Sequence, residues 1–403
     1  MTRIVLAYSG GLDTSVAIPW LKEKHGAEVI AVTLDLGQGG ELNQIRERAI
    51  AAGASRCHVL DVREEFARDY ILPALQADAL YEERYPLATA LGRPLIAKKL
   101  VEIAQMENAS AIAHGCTGKG NDQVRIDVSA RAIDPRMTVV APAREWDMTR
   151  AEEIEYARVR RVAVSATSEN PYSTDQNLWG RSIECGVLED PWNEPPDDIY
   201  TLTKSPASAP DVPAYVQIEW QSGVPTAVNG VEMSLVELIG SLETIAGVHG
   251  VGRIDMVENR VVGIKSREIY EAPAALLLHA AHREMEGLVT PKDLQRLKQR
   301  LSQEYADIVY NGLWFSATRT AIDAFMQNIQ QKVSGTIRLK LFKGDCRVVG
   351  RKSPFALYDQ GLATYEEGNT FDHTAAEGFI KIWGLPVETA AKSARRQAAP
   401  ASK

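Results

Sequence analysis

Ser9, Gly10, Gly11, Asp13, Thr14 and Ser15 crowd hydroxyls, two glycines and a carboxylate behind the apolar run Ile4-Val5-Leu6-Ala7-Tyr8. Glycines without a Cβ let the backbone turn tightly and aim its N–H groups at an anion, and a helix opening there leaves its first amides unpaired. The pattern is that of a phosphate cradle. An ordinary strand-to-helix turn with a Ser or Thr cap would have no use for the acid. A carboxylate among phosphates repels them, so Asp13 implies either a divalent cation or a part in orienting the loop. The second cluster is His114-Gly-Cys-Thr-Gly-Lys-Gly-Asn-Asp-Gln-Val-Arg125. Thr117, Lys119, Asn121, Asp122 and Arg125 stand close together among its glycines, with an acid for an ammonium and an Arg fork for a carboxylate. That set suits a zwitterion better than a solvated surface loop.

Elements must position both clusters. Arg3–Tyr8, Glu28–Leu34, Cys57–Val62, Ser110–His114 and Met137–Ala141 read as strands. Ser15–Lys24, Glu41–Ala52, Arg93–Met106 and a helix capped by Thr149-Arg-Ala-Glu152 and running to Arg161 read as helices. Near-continuous apolar strands alternating with helices argue for a doubly wound parallel sheet. Both glycine-rich loops then leave the carboxyl ends of strands and face one pocket. From Val164 to Pro213 the chain turns rich in Ser, Asn, Pro and Gly, which places a domain boundary near Val164. Beyond it, strands at Tyr215–Trp220, Ile254–Ile264 and Thr336–Phe342 and helices at Ser234–Ala246, Pro291–Asn311 and Thr318–Val333 predict an α+β second domain. The tail is polar after Asp359 and without apolar period from Ala390. It is expected to be disordered or to form an arm on a neighbouring subunit.

A chain of 403 residues can bury substantial cores, and 45 basic against 53 acidic side chains give a net charge of −8, which disfavours nucleic acid as partner. Cys57, Cys116, Cys185 and Cys346 form no C-x-x-C pair and read as reduced thiols. Met1 leads straight into the first strand, and the most apolar run, Ala272–Ala281, is too short for a bilayer, so a cytoplasmic chain is expected. His279 and His282 lie three apart without a third ligand, and no metal ligands are assigned.

The first loop is neither a G-x-G-x-x-G fingerprint nor a P-loop. It is similar to the Ser-Gly-Gly-x-Asp-Ser loop of the ATP pyrophosphatases, with one residue inserted. Ala-Tyr-Ser-Gly-Gly-Leu-Asp-Thr-Ser and the His114–Arg125 segment together resemble the argininosuccinate synthase family, and the resemblance extends through about Gly384. It implies a nucleotide-binding domain over 1–164, a synthetase domain over 165–359 and a C-terminal arm over 360–403 in which residues 365–385 clasp a neighbour in a homotetramer. It implies ATP at Ala7, Tyr8, Ser9, Gly10, Gly11, Leu12, Asp13, Thr14, Ser15, Leu34 and Gly115, with Mg²⁺ bridging the leaving pyrophosphate. It implies aspartate at Thr117, Asn121 and Asp122, and citrulline at Tyr85, Asn121, Arg125, Ser173, Ser182, Glu258 and Tyr270. Asp13 and Asp122 are the implied catalytic acids. Where some members carry a citrulline-contacting Ser this chain has Ala90, leaving that contact to Thr89 or water. Without the resemblance, Tyr85 and Tyr270 read as half-buried aromatics, Ser173 and Ser182 as loop serines and Glu258 as a turn carboxylate.

The reaction implied joins citrulline to aspartate through a citrullyl-adenylate. Two rivals share the first loop. A tRNA-thiolating relative would bring catalytic cysteines and a basic RNA face, and neither is present. A catalytically silent nucleotide-binding regulator has no need of an intact Thr117–Arg125 cluster.

Overall fold

The structure is a computed structural model that describes residues 2–40, 42–146, 148–162 and 171–398. The boundary expected near Val164 lies outside the described residues. Met1–Phe355 form one compact unit and Ala356–Lys403 a second.

Strands β1 (Arg3–Ala7), β2 (Glu28–Asp35), β3 (Arg56–Asp61), β4 (Ala111–Ala113) and β5 (Thr138–Val140) form a parallel sheet in the order β3-β2-β1-β4-β5. The centres of β1, β2 and β4 are buried, as expected of a sheet covered by helices on both faces. The chain winds outward from β1 to β3, then returns to β4 on the other side of β1, making the switch point where ligands of such sheets bind. β1 ends early. Its last bonds run from Tyr8 N–H to Val32 O and from Thr33 Oγ1 to Tyr8 O, both 2.8 Å, so β2 continues past its neighbour.

The first helix runs Leu12–His25 rather than starting at Ser15, because Gly11 is already its extended N-cap and Gly10 makes the turn at φ 79°. Asp13, Thr14 and Ser15 therefore lie in its first turn. The helix read as Arg93–Met106 likewise begins earlier, at Ala88, and runs to Met106. Thr149 does form the expected capping box with Glu152, opening the helix Arg150–Val159.

The second half adds β6 (Ser173–Asn177), β7 (Gly180–Glu184), β8 (Ala214–Gln221), β9 (Val224–Val228), β10 (Val231–Glu232), β11 (Arg253–Asn259), β12 (Lys265–Glu271), β13 (Gly335–Phe342) and β14 (Asp345–Lys352). They pair antiparallel in two sheets, β11-β12-β7-β6 and β10-β9-β8-β13-β14. Two expectations change here. The single strand read over Ile254–Ile264 is broken after Asn259 by a turn through Gly263, φ 86°, and resumes as β12. The polar stretch before Pro213, read as loop, contains β6 and β7. The apolar run at Ala272–Ala281 belongs to a helix, Pro273–Val289, whose Leu277, Leu278, Ala281 and Met285 are buried. Among the described residues no helix is long and apolar enough to cross a membrane.

One hydrophobic cluster includes Tyr85 and Leu91 from the first half and Trp179, Tyr270 and Tyr310 from the second. The β6–β7 hairpin is tied to the parallel sheet through the 2.7 Å bond from Leu178 N–H to Leu36 O. Gly37, φ 90°, permits this approach, since a Cβ there would lie 2.9 Å from Leu178 Cβ. Asn177 and Trp179 add side-chain bonds to Ala88 O and Pro86 O, at 2.7 and 2.8 Å.

In the C-terminal unit, residues Ala375–Ala398 form a helix. Of the two alternatives for the tail, disorder or an arm, the helix through Ala398 speaks against the first over those residues, because Ala, Lys and Arg sustain a helix without an apolar stripe. Phe379, Ile380, Ile382, Trp383, Leu385 and Val387 on this helix are exposed.

Candidate active site

A cleft of about 790 Å³ opens at the carboxyl end of the parallel sheet and is walled on its far side by β6, β7, β11 and β12. Both glycine-rich loops line it. From the first come Ala7, Tyr8, Ser9, Gly11, Leu12, Asp13 and Thr14; Leu34 and Gly115 join them. Ser9 Oγ accepts from Gly11 N–H at 3.3 Å and pairs with Thr14 Oγ1 at 3.1 Å, which holds two hydroxyls beside the helix N-terminus. Gly10 is not among the residues lining the cleft, and a Cβ on it would meet Arg48 and Ile45. Ser15 is fully buried beneath the loop, its hydroxyl 3.0 Å from that of Tyr8. Asp13 neighbours Glu153, whose carboxyl is pushed up by burial and by the Asp13 charge.

The second loop contributes Gly115, Cys116, Gly120, Asn121, Asp122 and Arg125. Thr117 is exposed on the described surface and is not among the residues lining the cleft. Asp122 sits between two guanidiniums, 2.7 Å from Arg93 Nη2 and 3.0 Å from Arg125 Nη1. Burial works to raise the Asp122 carboxyl, but Arg93 and Arg125 overcome it and hold the group below the usual carboxylate range. Arg93 also bonds Asp175 of β6 at 2.5 Å, joining the two walls. Arg125 is buried: its Nε donates to Tyr310 O at 2.9 Å and its guanidinium lies 4.8 Å from the Tyr310 ring centre. Its Nη2 is buried with no protein partner. Asn121 spends both ends of its amide on the protein, donating to Tyr310 Oη and accepting from Val261 N–H, each at 2.9 Å. Burial pushes the Cys116 thiol up to about 12, so it is no nucleophile at neutral pH.

The third wall is aromatic and acidic. Tyr85 and Tyr270 stack at 4.0 Å, and Tyr85 Oη accepts from Thr89 N–H at 2.9 Å. Glu258 is 2% exposed and accepts from the hydroxyls of Tyr270 at 2.7 Å and Tyr310 at 2.5 Å. Burial raises its carboxyl while those two hydrogen bonds oppose the rise. Ser173, Ser182 and Thr89 line the cleft; Ala90 is buried and does not.

Several lining residues went unremarked in the sequence. Arg93 and Asp175 are two of them. Arg260 is another: it pairs with Glu184 and, at 2.6 Å, with Glu268, whose carboxyl is raised by burial and by Glu184. The lone guanidinium of Arg93 in the apolar stretch Ala88–Leu95 was an available signal. The acids of β6, β7 and β12 offered none, being scattered among other polar residues. Gln38 also lines the cleft, at the end of β2. Away from it, His279 pairs with Asp78 at 2.9 Å and His282 with Gln330 at 2.8 Å, so both histidines serve packing between helices.

Among the described residues no three His, Cys, Asp or Glu side chains cluster as a metal site. The donor set at the first loop, a single carboxylate with hydroxyls, fits a cation of the Mg²⁺ type, which keeps waters and takes its other ligands from substrate phosphates.

Two family models match the chain. One is described as "Arginosuccinate synthase N-terminal HUP domain" and matches residues 3–163; the other, "Arginosuccinate synthase C-terminal domain", matches residues 172–390. An argininosuccinate synthase of Dehalococcoides mccartyi is 56% identical over 390 residues, covering 97% of this chain and 96% of the relative. That of Rubrobacter xylanophilus is 58% identical over 384 residues, covering 95% and 94%. That of Streptococcus suis is 56% identical over 390 residues, covering 97% and 98%.

Proposed function

The chain belongs to the argininosuccinate synthase family, and from that premise we propose that the one cleft holds ATP, citrulline and aspartate together. The chain is an ATP-dependent carbon–nitrogen ligase of arginine biosynthesis. The observation that carries the proposed arrangement is the convergence of both glycine-rich loops and the Tyr85–Tyr270–Glu258 wall on one 790 Å³ cleft.

Ser9, Thr14 and the amides of Gly11 and the helix behind it cradle the triphosphate. Asp13 stands at the same end of the loop and would hold the Mg²⁺ that accompanies the phosphates and would supply charge neutralisation for the leaving pyrophosphate. Arg125 offers its unpartnered Nη2 to the citrulline carboxylate. Tyr85, Ser173, Ser182, Tyr270 and the Glu258 carboxyl fix the remaining polar groups of citrulline. Asp122, kept ionised by Arg93 and Arg125, accepts from the aspartate ammonium, with Asn121 and Thr117 at the edge of that subsite.

In the first step the ureido oxygen of citrulline bonds to the α-phosphorus while the bond to the β-phosphate oxygen breaks and pyrophosphate leaves. In the second, the aspartate amine, having lost its proton, bonds to the ureido carbon, and AMP departs with the carbon–oxygen electron pair. Alignment and charge stabilisation supply the catalysis, with no covalent enzyme intermediate. The purified chain is expected to form AMP and pyrophosphate from ATP only when citrulline is present. Citrulline labelled with ¹⁸O at the ureido oxygen should deliver the label to AMP; formation of ADP, or unlabelled AMP, contradicts the scheme.

The assembly proposed is a cytoplasmic homotetramer in which residues 365–385 clasp a neighbour. The exposed apolar side chains of the Ala375–Ala398 helix support it. Removing residues from Asp359 onward should lower the solution mass in light scattering, and a truncated chain that stays tetrameric refutes the clasp.

A further inference from the structure

Past the end of β1, the β1-facing edge of β2 carries a carbonyl and an amide that another group has taken. Gln38 Nε2 donates to Leu34 O, and Leu36 N–H donates to Gln38 Oε1, both at 2.7 Å. The orientation of this carboxamide is fixed by its partners, since a carbonyl must meet the NH₂ and an amide must meet the oxygen. Gln38 thereby continues the ladder that β1 abandons.

Donor beside acceptor is also the pattern of the adenine edge, where the exocyclic N6–H lies next to the N1 acceptor at nearly the separation of a carboxamide's nitrogen and oxygen. Leu34 and Leu36 stand in the cleft with Val32, Ile45 and Ile96, apolar side chains suited to the two faces of a flat base. The triphosphate loop leaves the neighbouring strand β1. Gln38 can leave by turning about its own side-chain bonds. Gly37 before it stays held against Leu178 and by its N–H bond to Asp35 Oδ1 at 2.9 Å, whereas Gly39 and Gly40 after it lie open, a Cβ on either meeting no atom within 4 Å.

We propose that Gln38 is an internal competitor for the adenine subsite: base and carboxamide exchange on the Leu34 carbonyl and the Leu36 amide, and this pair selects adenine. The proposal rests on the ATP site described above and adds what guards and reads it. A base with the reversed order, an O6 acceptor beside an N1–H donor as in hypoxanthine or guanine, sets acceptor against acceptor at Leu34 and donor against donor at Leu36. It cannot dislodge Gln38.

The test uses the full-length enzyme with Gln38→Ala and Gln38→Met, the second keeping side-chain length over the loop without the amide. Equilibrium binding of ATP and of ITP is measured for each. Removing a weak intramolecular competitor should tighten ATP roughly three- to tenfold in both variants and leave ITP unchanged. Unchanged ATP affinity overturns the proposal. Weakening of ATP alone makes Gln38 a contact to the bound base, and equal weakening of both nucleotides makes it a staple of the loop; either result also overturns it. Citrulline-dependent release of AMP by the wild-type enzyme reports on the ligase site separately, so that reading can stand while this one falls.

Discussion

Replacing Arg125 with Leu is expected to raise the KM for citrulline roughly ten- to a hundred-fold, because a charge-assisted hydrogen bond is worth about 1.5–3 kcal/mol. Arg125 is anchored on three sides, by Tyr310 O, the Tyr310 ring and Asp122, which leaves the buried Nη2 as its one unpaired group. A substrate carboxylate completes that set. Arg125→Lys keeps the charge and loses the fork, so it should restore only part of the affinity. Steady-state kinetics with citrulline varied at saturating ATP and aspartate decide the matter. An unchanged citrulline KM in Arg125→Leu would assign the residue to tethering Asp122 and the Asn121–Ile133 helix alone.

Asp122→Asn is expected to separate the two half-reactions. The substitution keeps shape and removes the charge that Arg93 and Arg125 hold in its ionised form. Without that charge the aspartate ammonium loses its acceptor, and argininosuccinate formation should fall about a hundred-fold, the loss typical of one buried charged hydrogen bond at about 3 kcal/mol. Adenylation makes no direct contact with this carboxylate, and Arg125 keeps its anchors on Tyr310 when the charge is removed. The variant should therefore still exchange labelled pyrophosphate into ATP when citrulline is present. Loss of exchange together with product would show that Asp122 serves the first step, through the position it gives Arg125.

What the sequence disclosed depends on how each element is buried. The parallel sheet announced itself because Ile4–Leu6 and, Thr33 apart, Val29–Leu34 are apolar throughout, as buried strands are. Its loops were legible because glycine and hydroxyl residues at a strand's end have few other uses. The antiparallel wall was far less visible. β6 reads Ser-Thr-Asp-Gln-Asn and mostly faces the cleft or solvent, so it lacks the alternation that marks a strand. β12, Lys-Ser-Arg-Glu-Ile-Tyr-Glu, mixes a cleft face with a core end in the same way. Arg93 was hidden by helical context, and its partner Asp175 lies 82 residues further along the chain. Glu258 looked like a turn acid because its two tyrosine donors come from other strands and helices, at Tyr270 and Tyr310. Without the family resemblance, the wall proposed for citrulline would have been an unexceptional polar segment.

The two walls of the cleft are also separated in time. Every strand of the sheet behind the triphosphate loop has been synthesised by Val140, whereas the Glu258 pocket waits for Tyr310, the donor that closes it. At synthesis rates of roughly 5–20 residues per second those 170 residues take on the order of ten to thirty seconds to appear. For that interval a nascent chain on the ribosome has the parts to cradle a nucleotide but no finished seat for the acceptor that would attack it. Because the attacking atom belongs to citrulline rather than to the protein, the immature chain has nothing to adenylate.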